Sequence, residues 1–332
     1  MILIGMGAVI LLKLIYKNVK YELCEITNID EIFKRYYDDK TIYSYNKIYI
    51  TDLHLGRKNL DIIKADRKLN KKVILFDHNE SVTELNSYDF VNIIIKDDNG
   101  YCCSTTLLYD YLIKKKLLKR SDILDCFCIA TKKYDTGQWD YSDEYSRNLA
   151  ILFDILGPQN YINIIYDKLK FETEFYFTEQ EANIIQIKKD FIDEKVKYYI
   201  QSTKFKRIDG YELGIILTSY EFRNEIAQYL RKNDILNIDA IVLVSVDTAS
   251  ISIRNINPDV NVRPIAEKLG GKGHFGAAGC NITKSNILKI LEFILWEEEK
   301  LLFFFYFLRI FYWNLSNFYI IVNLCLFSCL NQ

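Results

Sequence analysis

Three short apolar runs set the rhythm of the first part of the chain: "KIYITDLHL" (47–55), "KKVILFDHNE" (71–80) and "FVNIIIKDDNG" (90–100). Each is a stretch of Ile, Val, Leu, Phe and Tyr that gives way to polar residues, the pattern of a buried strand running into a loop. Residues 59–69, between the first two runs, carry apolar residues at helical spacing. Strand, helix, strand in that order predicts a parallel sheet with helices on both faces. Ligands of such sheets gather beyond the carboxyl ends of the strands. Asp52 and Asp77-His78-Asn79 fall there. Ser104 is placed to cap a helix over "TTLLYDYLIKKKLL", whose Lys-rich end suits the negative end of the helix dipole. A further helical stretch leads to "ATKKYDTGQWD" (130–140).

Gly157-Pro158 interrupts the pattern, and residues 159–206 read as mainly helical with charges on one face. Alternation returns at "YELGIILTS" (211–219), followed by a helix near 221–232, the runs "DAIVLVSVD" and "SISIRN", a glycine-rich stretch and a last helix over 284–300. The expected fold class is therefore α/β. A parallel-sheet domain over 1–157 is joined by a helical connector (158–206) to a smaller α/β domain (207–300), with an apolar tail at 301–332.

Composition narrows the function classes. Half of the 332 residues are hydrophobic and 26% are charged, a globular profile. Lys and Arg number 43 against 44 Asp and Glu, a net charge of -1. That balance argues against coating long duplex nucleic acid, although it leaves room for a small anion in a local basic pocket. The eight cysteines form no CxxC pair and no zinc-type spacing, so they read as reduced thiols of a cytoplasmic protein. The first eighteen residues are apolar and then basic, the reverse of a signal peptide. The tail from Leu301 is long enough to span a bilayer, but Arg309, Asn314, Asn317 and Asn323 interrupt it. A terminal helix packed on the core, or an appended stretch, is the plainer reading, and membrane contact is expected only if the tail acts as an anchor. The sequence also admits a homodimer.

Two constellations carry chemistry. Asp52, Asp77, His78 and Asp135 offer the carboxylate oxygens and imidazole nitrogen that divalent cations take. Taken singly, each has a plain alternative: a helix cap at Asp52, a turn at His78, a tight Asp-Thr-Gly turn at Asp135. The second is "LGGKGHFGAAGC" (269–280), five glycines and two alanines around His274. Glycines allow close backbone approach, so N–H groups there can surround an anion, with His274 donating to a phosphate oxygen. The alternative is an ordinary glycine-rich turn with a structural histidine. Gly271-Lys272-Gly273 does not follow a strand of the dinucleotide-binding kind, which rules out that fold. Arg254, in "SISIRN", is a candidate phosphate fork, or else a solvated charge at a strand end.

Together these residues resemble one family. "FDHNE" (76–80) is similar to the Asp-His-His signature of the DHH phosphoesterases. "LGGKGHFGAAG" is similar to the glycine-rich His…Ala-Ala-Gly loop of their C-terminal DHH-associated domain, and "YITDL" and "YDTGQWD" fall where the family carries its second and fourth acidic motifs. The resemblance runs to about Lys300. It implies a bilobal enzyme that hydrolyses phosphoesters with two manganese or magnesium ions. Chain length favours the nano-RNase branch, whose members also dephosphorylate 3'-phosphoadenosine 5'-phosphate; cyclic-dinucleotide phosphodiesterases are the neighbouring alternative. By resemblance, Asp52 bridges the metals, and His78 and Asp135 complete one of them. Asp77, orienting His78, and Asn79, beside the phosphate, are the catalytic candidates. Arg254, Gly271, Gly273 and His274 bind a short RNA or nucleotide phosphate from the other lobe, so the acids and the glycine stretch are expected to share one pocket.

The chain departs from the pattern in two places. The family's first motif is His-x-Asp-x-Asp-Gly; Gly5 matches its glycine, Ile2 and Ile4 stand in place of the aspartates, and the histidine falls ahead of Met1. Isoleucine cannot ligate a cation, so incomplete metal occupancy and impaired catalysis are expected. Asn79 replaces the second histidine of the triplet and cannot transfer a proton near neutral pH. A non-catalytic nucleotide-binding protein is the alternative from another class.

Overall fold

The apolar opening of the chain folds as helix α1 (Ile2–Ile15), with Met6 and residues 8–12 buried. The computed structural model describes residues 2–98, 100–137 and 143–294. The chain divides into two units, Met1–Asp190 and Phe191–Gln332.

In the first unit α2 (Ile29–Asp38) precedes β1 (Ile48–Thr51), then α3 (Arg57–Ala65), α4 (Arg67–Asn70), β2 (Val73–Asp77) and β3 (Val91–Ile93). The three strands form a parallel sheet in the order β1-β2-β3, with Ile50 opposite Leu75 and Leu75 opposite Val91. One face packs Val73, Leu75, Val91 and Ile93 against Leu60 and Ile63 of α3 and Leu69 of α4. A small hairpin, β4 (Lys96–Asp97) and β5 (Gly100–Tyr101), leads into α5 (Ser104–Lys114), α6 (Asp122–Asp135) and α7 (Glu144–Phe171). Helix α1 packs against all three.

Ser104 is not the cap of α5. Cys103 takes that position, its N–H donating to Thr106 Oγ1 (3.2 Å), while the buried Ser104 hydroxyl donates to the Phe76 carbonyl of β2 (3.2 Å). The hydroxyl satisfies a strand-end acceptor instead of a helix-end donor. Gly157 takes φ 69° and ψ 169°, a kink open to glycine, so α7 is two helical segments meeting at Gly157-Pro158. Helix α8 (Glu179–Gln201) follows and runs across the boundary between the units.

The second unit is a six-stranded sheet in the order β10-β11-β9-β8-β7-β6. Its strands are β6 (Lys204–Ile208), β7 (Tyr211–Thr218), β8 (Ala240–Ser245), β9 (Ser250–Asn255), β10 (Lys272–Gly273) and β11 (Ala277–Asn281). Only β7 and β8 are parallel; they are linked through α9 (Arg223–Asn233). Alternate residues Val242, Val244, Ile251, Ile253, Ala278 and Cys280 face a core closed by α10 (Arg263–Lys268) and α11 (Ile287–Ile294). Helix α11 is shorter at its start than the expected 284–300, because Thr283 and Asn286 bond to each other in a turn ahead of it (Thr283 N–H to Asn286 Oδ1, 2.7 Å). The tail at 301–332 lies outside the described residues. No helix among the described residues is long and apolar enough to cross a membrane.

The glycine-rich stretch is part of this sheet, not a free loop. A Cβ on Gly271 would meet the Gly279 carbonyl oxygen at 2.2 Å, and one on Gly279 would meet the Ile251 carbonyl oxygen at 2.3 Å. A Cβ on Gly273 would meet the Ala278 Cα at 2.3 Å. These three side chains are absent so that the protein's own strands can approach one another. Gly271→Ala is expected to destabilise the protein by about 2–3 kcal/mol, lowering Tm by roughly 5–10 °C. Thermal unfolding followed by circular dichroism checks this.

Candidate functional site

In the first unit, two parallel strands end side by side and deliver three donors to one edge. β1 stops at Thr51, and Asp52 then takes φ 67°, a left-handed conformation that aspartate tolerates better than most residues. Its N–H still reaches the Phe76 carbonyl (3.0 Å), which extends the ladder by one bond. β2 ends on Asp77, buried at 3% exposure, with His78 next. One potential ligand atom from each of Asp52, Asp77 and His78 lies within 4.8 Å of the others.

The surrounding bonds fix how these groups point. His78 Nδ1 donates to the Cys102 carbonyl (3.0 Å), leaving Nε2 as the acceptor on the side of Asp52 Oδ1, 3.7 Å away. Asp77 Oδ1 accepts from the His78 backbone N–H (2.7 Å), and Oδ2 lies 3.1 Å from His54 Nδ1. Asp135 reaches the cluster from the last residue of α6, not from a strand end. Its Oδ2 is 3.3 Å from His78 Nδ1, but that N–H is committed to Cys102, so the buried oxygen accepts no hydrogen bond.

Three carboxylates and two imidazoles crowd this edge. Among the described residues, the ion-pair partners of Asp52, Asp77 and Asp135 are the two imidazoles. Burial, then the charges of Asp135 and Asp77, push the Asp52 carboxyl well above the usual range; burial and Asp77 do the same to Asp135. Two carboxylates and an imidazole with potential ligand atoms within 4.8 Å of one another, and a third buried carboxylate behind the ring, make the kind of donor set a divalent cation takes. The residues present fit such an ion.

In the second unit, Arg254 lies on β9 with its guanidinium donating to the Ile253 carbonyl (3.1 Å) and to Asn224 Oδ1 of α9 (3.3 Å). Burial, then Arg223 and Arg231, lower its pKa to about 10. Arg223 stacks on the Tyr220 ring at 3.4 Å, and Arg231 is held by the carbonyl and side chain of Asn255. Three guanidiniums thus gather beside the hairpin of β10 and β11, where Ala277 pairs with Arg254. His274, at its exposed tip, donates its N–H to the Ala277 carbonyl (2.8 Å).

Residues 220–296 match the model of the DHHA1 domain. The chain is 27% identical over 287 residues to the oligoribonuclease NrnB of Bacillus subtilis (strain 168), covering 84% of this chain and 70% of that protein. These matches support a protein of the DHH phosphoesterase kind, with a DHHA1 domain over residues 220–296. Among solved structures, the DHH domain of a member of the s1p family of ribosomal proteins shares the fold at a TM-score of 0.55. The two are 10% identical, with 88% of this chain and 82% of that one covered.

Relative to the family signature, "FDHNE" delivers Asp77 and His78 to the cation cluster, while the Asn79 side chain accepts from the Ser81 N–H (3.0 Å) and caps the turn that follows. Asp77 stands among the potential ligands, and Asp135 on the far side of the His78 ring. Ile2 and Ile4 lie in the first turn of α1, which carries no acidic residue. Sequence reasoning missed His54, although an imidazole two positions after Asp52 is a visible signal. It also missed Arg223 and Arg231, whose helical positions give no sign that they meet Arg254.

Proposed function

We propose that this DHH protein is a metal-dependent phosphodiesterase of short oligoribonucleotides or nucleotide phosphates, with catalysis reduced by the missing first-motif aspartates. The observation that carries the reading is the cluster of Asp52, Asp77 and His78, with the orphaned Asp135 oxygen beside it. A divalent cation, manganese or magnesium, would be held by Asp52, Asp77 and His78 Nε2, with Asp135 adding charge from behind the ring. When bound, such an ion supplies Lewis acidity toward a phosphoester and its attacking water. The identity of NrnB as an oligoribonuclease supports short RNA as the substrate class.

Arg254, Gly271, Gly273 and His274 are the proposed nucleotide-binding residues of the DHHA1 domain. Arg254 supplies a fixed, desolvated guanidinium, which favours a phosphate. Replacing Arg254 by Gln is expected to raise KM by about 10–100-fold with kcat nearly unchanged, the pattern of lost uniform binding. Steady-state kinetics on a short RNA checks this.

A mononucleotide-release assay on a short RNA, with and without Mn2+, tests the proposal itself. Slow, manganese-dependent release supports it. Nucleotide binding with no hydrolysis at any metal concentration favours the binding-only reading, which the isoleucines at positions 2 and 4 motivate.

A further inference from the structure

We infer that His54 is a positioning residue of the cation cluster, acting through Asp77. The inference rests on the cation site proposed above and concerns a residue outside the Asp-His-Asn run. Asp77 is the most buried acid of the group, and each of its oxygens has a defined donor: the His78 backbone N–H for Oδ1 and His54 Nδ1 for Oδ2. The two bonds hold the carboxylate plane, and with it the direction of the lone pairs left for a cation. Partners of this kind orient ligands, and their loss typically costs metal affinity.

The backbone explains how His54 arrives. Asp52 leaves β1 in the left-handed region, which turns the chain so that the residue two positions on comes back to the end of the neighbouring strand. Leu55, fully buried in the core of the sheet, anchors the far side of that turn. The His54–Asp77 bond therefore ties the end of β1 to the end of β2, at the two residues whose spacing decides whether one ion can touch both. His54 itself is not a core residue: its side chain retains 21% exposure. Its ring serves the carboxylate.

Isothermal titration of Mn2+ into the full-length protein, with Tm recorded for each metal-free variant, tests this. His54→Ala is expected to weaken Mn2+ binding by about 10–100-fold while Tm changes little. His54→Asn, whose amide nitrogen sits where Nδ1 does, is expected to bind close to the wild type. His54→Gln, whose amide falls nearer the Nε2 position, is expected to behave like the alanine variant and replaces it if that variant does not fold. Wild-type affinity in His54→Ala, or an asparagine variant as weak as the alanine one, overturns the inference and leaves the cation site standing. A wild-type protein that takes up no Mn2+ overturns both.

Discussion

Replacing Ile2 and Ile4 by aspartate, with a histidine added ahead of Met1, is expected to raise manganese-dependent turnover by about 100-fold or more, roughly 3 kcal/mol off the barrier. The motif His-x-Asp-x-Asp-Gly aligns on Gly5, so the two isoleucines occupy positions that carry carboxylates in the family. The cluster as it stands gathers three potential ligands, enough for one ion and few for two. Two further aspartates add four oxygens. Their placement in the first turn of α1 also suits the positive end of the helix dipole, so the substitution does not work against the helix. Single-turnover and steady-state rates on a short RNA measure the gain. An unchanged rate, together with intact nucleotide binding, would assign the chain to the binding-only class.

The second large effect is a pH dependence that reverses when metal is added. Burial and the charges of Asp135 and Asp77 push the Asp52 carboxyl up to about 8. In the unfolded chain the same group titrates near about 4. Between these values the metal-free folded protein holds a proton that the unfolded chain has released. The stability associated with that protonated form is present below about pH 4 and is lost as pH rises through about 8. Asp52→Asn removes the penalty. In EDTA its Tm is expected to exceed that of the wild type by a margin that widens from pH 5 to pH 8. With Mn2+ at about 100 times its Kd, the wild type gains about 2.7 kcal/mol, and the gain grows with pH because protons and metal compete for the carboxylates. Asp52→Asn gains little. Thermal melts of both proteins across pH, with EDTA or Mn2+, read out the reversal. A margin that stays flat with pH would show that Asp52 is not held in a crowded, buried acid cluster.

The sheet of the first unit was legible because its strands are short apolar runs ending in polar turns, and the carboxyl ends of parallel strands collect on one side. That geometry alone placed Asp52 and Asp77-His78 together. Asp135 was harder to place: its sequence looks like a turn, yet it enters from the end of a helix whose direction depends on packing against α1 and α7. His54 was hidden by one backbone angle, since an ordinary strand continuation at Asp52 would have carried it away from Asp77. In the second unit, β7, β8 and β9 read clearly as short apolar runs, but β6 did not. "KFKRI" is an edge strand with half-exposed residues, and its only signal is its pairing with β7. The glycine stretch was visible as unusual, but its reason was only partly so. Composition suggested room for a phosphate, whereas Gly271, Gly273 and Gly279 are bare because neighbouring strands leave no space for a Cβ. Composition records that side chains are missing, while the contact that excludes them depends on which strand lies alongside.

Anomalous diffraction at the manganese edge, from crystals of the full-length protein grown with Mn2+, tests the cation site most directly. The account predicts a peak bounded by Asp52, Asp77 and His78 Nε2. Crystals that show no such peak at saturating Mn2+, or place manganese only elsewhere, would contradict it.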